Sequence, residues 1–121
     1  MSRRVAALIA MLTVGLPAGP VLAHAFLDHA VPAVGSTVTA APSEIRLFFS
    51  EAVEPVFSGI ELATANGTAL AAGAATTDPH DPMQLVLKVP PLPPGGYRVR
   101  WHVVSVHTHR TEGDFTFEIR P

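Results

Sequence analysis

There is no cysteine anywhere in the 121 residues. Zinc–thiolate sites and thiol redox chemistry are excluded, and no disulfide can brace the fold, so stability must come from core packing, with bound metal as the other available source. An excess of positive charge is also missing. Eight Lys and Arg stand against ten Asp and Glu, a net charge of −2, and nothing in that balance invites nucleic acid. Long apolar runs are absent too. The longest, Val5 to Gly15, covers about eleven residues where a bilayer span needs about twenty.

That short run has the grammar of an export leader. Arg3 and Arg4 form a positive segment ahead of it, and Pro17, Gly19 and Pro20 precede the small-residue cleavage site Val21-Leu22-Ala23. Cleavage after Ala23 removes residues 1–23 and leaves residues 24–121, a single small domain with one core. The expected mature protein carries six basic and ten acidic side chains, a charge of −4 with His neutral, and begins at His24. The leader implies export from the cytoplasm.

Within the expected domain the apolar residues keep a period of two, and Pro and Gly interrupt often, which argues for many short strands and no long helix. Ile45, Leu47 and Phe49 alternate with Arg46, Phe48 and Ser50, while Leu85, Leu87 and Val89 flank Val86 and Lys88. Phe115, Phe117 and Ile119 form a third apolar face, and Tyr97, Val99, Trp101 and Val103 a fourth, opened by the turn Pro93-Pro94-Gly95-Gly96. Asn66-Gly67 carries the preference for positive φ of a tight hairpin, and Asn66-Gly67-Thr68 is read as that turn before it is read as a glycosylation site. With segments near Ala25 to Ala30 and Gly59 to Ala63, the count is six or seven strands. The fold class is all-β, a Greek-key β-sandwich or barrel of immunoglobulin-like shape.

The chemistry sits in the histidines. A free N-terminal His24 offers its α-amine and its own Nδ1 to one ion, and His107 and His109 add two imidazoles. Two residues apart on a strand or its extended continuation, those two leave the same face. Three imidazoles and an amine suit Cu(II), the tightest divalent binder at such a site, with zinc as the rival metal. Copper would displace protons from the amine and imidazoles, so affinity is expected to fall as pH drops below about 6. In an arbitrary sequence a His-Thr-His pair is more often solvated surface. The remaining candidates read as structural: His102 on the opposite strand face, His29 beside Asp28 in a local hydrogen bond, Asp78-Pro79-His80-Asp81-Pro82 as a turn, and Trp101 as a core anchor.

Four stretches occur in a telling order: the His after the leader, Phe48-Phe49-Ser50-Glu51-Ala52-Val53-Glu54-Pro55, Leu92-Pro93-Pro94-Gly95-Gly96-Tyr97-Arg98-Val99-Arg100-Trp101, and Val103-Val104-Ser105-Val106-His107-Thr108-His109. Together they resemble the CopC family of periplasmic copper-binding proteins, across essentially the whole expected mature chain. The resemblance implies about seven strands, Cu(II) held at one end, a role in copper homeostasis or resistance, and a CopD-type inner-membrane copper transporter as partner. It assigns metal ligation to His24 and His109. Where the common form has Asp, this sequence has His107, and the loss of a negative charge is expected to favour Cu(I) relative to the Asp form. Glu51 matches a carboxylate beside the copper, as a weak axial ligand or as an acceptor orienting His24. The family's Met-rich Cu(I) site has no counterpart, because Met1 and Met11 leave with the leader and Met83 stands alone.

Three function classes follow. The first is copper binding and delivery, the second a small histidine-brace copper oxygenase, and the third a metal-free immunoglobulin-like interaction module. The expectation is copper binding without enzymatic activity, since 98 residues, those from 24 to 121, leave little room for a substrate face.

Overall fold

The structure, a computed structural model, describes residues 24–73 and 75–121. The leader expected over residues 1–23 lies outside the described residues. Among the described residues nine strands are formed: β1 (Leu27–Val31), β2 (Thr37–Val38), β3 (Glu44–Phe49), β4 (Gly59–Thr64), β5 (Ala69–Gly73), β6 (Thr76–Asp78), β7 (Asp81–Lys88), β8 (Gly95–Val104) and β9 (Arg110–Ile119), with one 3-10 turn at Pro55–Phe57. Two of them, β2 and β6, are only two and three residues long. No helix among the described residues is long and apolar enough to cross a membrane.

The strands make a four-stranded sheet, ordered β1-β3-β7-β6, and a five-stranded sheet, ordered β2-β9-β8-β4-β5. All pairings are antiparallel except that of β2 with β9. The alternation explains the layering. Ile45, Leu47 and Phe49 of β3 are buried while Arg46 and Phe48 are not, and Tyr97, Val99 and Val103 of β8 are buried while Arg98 and Arg100 lie in solvent. Side chains from both inner faces, including Leu85, Leu62, Phe115 and Phe117, join in one core. Each fully buried Leu or Phe in it contributes about 1.5–3 kcal/mol relative to exposure. The Tyr97 and Phe117 rings stack with centroids 5.4 Å apart, and Trp101 meets Phe49 edge-on at 5.2 Å, which confirms Trp101 as a bridge between the sheets.

Turn chemistry acts where the sequence places it. Asn66-Gly67 joins β4 to β5, with Gly67 at φ 97° and its N–H donating to the Thr64 carbonyl at 2.9 Å. The loop expected at Asp78 to Pro82 is the tip of the β6–β7 hairpin, so β7 begins at Asp81, ahead of the apolar run starting at Leu85.

Strand directions give the sandwich two distinct ends. At one end lie the start of β1, the end of β3, the start of β4, the β6–β7 hairpin and the β8–β9 connection. All six histidines belong to that end. His24 precedes β1, His29 pairs with Phe48, His80 sits in the hairpin, His102 pairs with Gly59, and His107 and His109 lie in the β8–β9 connection.

Candidate metal centre

The His-Thr-His segment is a turn, which corrects the expectation of strand alternation. Pairing of β8 with β9 stops at Val104 and Arg110, and Thr108 adopts φ 68°, a left-handed conformation rare for a β-branched residue. Strand parity therefore does not set the directions of His107 and His109. A buried hydroxyl organises the turn instead. The Ser105 side chain, 0% exposed, accepts the N–H of His107 and of His109, each at 3.3 Å. The Ser105 N–H donates to the His109 carbonyl at 2.9 Å, and the Thr108 N–H to the Ser105 carbonyl at 2.8 Å.

The segment after β3 is laid against this turn. Val53 bridges Ser105, the Val106 N–H donates to the Ala52 carbonyl at 3.1 Å, and the Glu54 N–H to the Val104 carbonyl at 2.8 Å. That brings Glu51 to the site, with Oε1 3.8 Å from Nε2 of His107. The sequence reading offered Glu51 as an axial ligand or an acceptor for His24; the imidazole it faces here is His107.

His24 arrives from the other side. Phe26 N–H donates to the Ser50 hydroxyl at 2.9 Å, that hydroxyl donates to the His24 carbonyl at 3.4 Å, and the Thr111 hydroxyl donates to the Ala25 carbonyl at 2.6 Å. Ala25 itself is fully buried. With its backbone so held, His24 stacks on His109, centroids 4.7 Å apart and planes 17° apart, and Phe26 stacks on the outer side of His24 at 5.9 Å.

The four residues thus come together as two pairs, His24 with His109 and Glu51 with His107. Among the described residues no three His, Cys, Asp or Glu side chains are grouped closely enough to hold a metal ion as they stand. The donor set suits copper in kind: imidazoles, a carboxylate and the amine that leader cleavage would free. An imidazole lone pair lies in its ring plane, and two nearly parallel planes cannot both contain one ion. For both rings to hold one ion, one of them would have to turn out of the stack. No spacing rule in the sequence pointed to the hydroxyls of Ser50 and Thr111, which bond distant backbone, or to that of Ser105, which accepts amides two and four residues on.

The other histidines lie outside these two pairs. His29 Nδ1 lies 2.7 Å from Asp28 Oδ2 and its ring stacks on Phe48 at 4.0 Å. His102 lies on the outer face of β8, over Gly59. The His80 N–H donates to Asp78 Oδ1 at 2.8 Å, and Arg46 reaches Asp78 Oδ2 at 2.7 Å. That N–H first, and then the guanidinium, hold the Asp78 carboxyl below its usual pKa of 3.8.

Fold and site together define a β-sandwich protein with a histidine-rich end. Residues 27–120 match the CopC domain. Over 113 residues the chain is 42% identical to Protein YobA of Escherichia coli K12, covering 93% of this chain and 91% of that protein. It is 37% identical over 128 residues to copper resistance protein C of Escherichia coli, covering 92% and 95%. The crystal structure of CopC from Methylosinus trichosporium OB3b superposes with a TM-score of 0.77 at 34% identity, over 81% of this chain and 95% of that one. The chain belongs to the CopC family. Its function is therefore copper-related, in a family of copper resistance proteins and not of enzymes, and the oxygenase reading falls away.

Proposed function

We propose that the exported protein begins at His24 and holds Cu(II) in the periplasm through His24, His107 and His109, with Glu51 beside the ion, as a carrier in copper homeostasis, resistance or delivery to a CopD-type membrane transporter. One observation carries this reading: the first residue of the proposed mature chain packs ring to ring against His109 at 4.7 Å, although the two stand at opposite ends of the domain sequence. The proximity of Glu51 to His107 supports the second half of the donor set. Nitrogen-rich ligation with one carboxylate nearby suits Cu(II) in particular.

The test is electron paramagnetic resonance of the protein purified after export, its intact mass establishing His24 as residue one, with one equivalent of Cu(II). A single axial spectrum with nitrogen hyperfine structure is expected, lost in His24→Ala and His109→Ala. Retention of that spectrum in both variants overturns the ligand set.

A further inference from the structure

The two halves of the site come from remote parts of the chain, so something must hold them at a fixed separation. Chain termini are poorly ordered unless tied down. β1 starts its pairing with β3 only at Leu27, which leaves His24 and Ala25 without ladder partners. Ala25 is nonetheless 0% exposed, and a buried carbonyl without a donor is costly. The Thr111 hydroxyl supplies that donor at 2.6 Å.

Thr111 is the second residue of β9 and lies on its half-buried inner face, two residues past His109. One hydrogen bond thus closes a short circuit from His24 through Ala25 and Thr111 to His109, across which the two imidazoles stack at 4.7 Å. Ser50, from the end of the opposite sheet, secures the flank by bonding both His24 and Phe26.

We infer that Thr111 is a positioning residue for the copper site: its hydroxyl sets the proposed N-terminal ligand against the His-Thr-His turn before metal arrives. This rests on the Cu(II) reading above. A preorganised terminus binds more tightly because its ordering cost is met in folding and not in binding. Valine has the shape of threonine without the hydroxyl, and serine keeps the hydroxyl without the methyl.

The experiment measures Cu(II) affinity by competition with a chelator, together with the paramagnetic spectrum, for the exported wild-type protein, Thr111→Val and Thr111→Ser. Thr111→Val is expected to bind about five- to tenfold more weakly, the scale of one hydrogen bond, and to replace the single spectrum by a mixture, while Thr111→Ser restores both. A mere packing role would not give that rescue. If Thr111→Val fails to fold, Thr111→Ala is read in its place. Wild-type affinity and spectrum without the hydroxyl, in a protein whose copper still depends on His24, overturn the positioning role alone. Copper binding that is indifferent to His24→Ala overturns the ligand reading instead.

Discussion

A hydroxyl with no exposed surface is worth removing only if it has work to do, and Ser105 accepts two amides from the turn that carries His107 and His109. In Ser105→Ala both N–H groups lose that acceptor in a half-buried setting. The expected cost is about 1–3 kcal/mol by urea denaturation, with faster exchange of these two amides. In the proposed site His107 would set the charge beside the ion. His107→Asp adds a carboxylate, which stabilises Cu(II) over Cu(I), so the reduction potential measured by voltammetry is expected to fall. At this scale the sequence singled out His24 and His109, which do stack, only through their place in the ordered motifs, because a His-Thr-His pair alone is more often solvated surface. The hydroxyls were not singled out. Thr111 bonds Ala25, and Ser50 bonds His24 and Phe26, contacts that only the folded chain creates.

Among elements, the β6–β7 hairpin carries the clearest dependence on pH. Arg46 from β3 reaches Glu44 at 2.9 Å, Asp78 at 2.7 Å and Gln84 at 2.7 Å, tying β3 to both strands of the hairpin. Because the folded-state pKa of Asp78 is lowered, its contribution is present above the ordinary value of 3.8 and is lost as pH falls through the lower folded value. Thermal unfolding of the wild type and Asp78→Ala should therefore differ at pH 6 and converge as pH falls well below 3.8, the pair being partly solvated and its effect modest. The long strands could be read from alternation alone, as Ile45-Leu47-Phe49 and Tyr97-Val99-Trp101-Val103 show. β2, at Thr37–Val38, and β6, at Thr76–Asp78, are too short to display a period. The turn at Thr108 defeated parity because threonine does not advertise a positive φ.

For the molecule as a whole, copper should act as a stabiliser, since a ligand that binds only the folded state adds about 2.7 kcal/mol at a free concentration one hundred times its dissociation constant. Thermal unfolding with and without Cu(II) is expected to show that gain in the wild type and none in His24→Ala. The architecture adds a directional property. β8 and β9 each run ten residues from the histidine end to the other, about 33 Å at strand rise, and Arg120 and Pro121 follow β9 at the far side. A bead or fused domain attached past Pro121 would stand at the opposite end of the sandwich from the His24–His109 pair, so the chain can be mounted by its tail with that pair left open to solution.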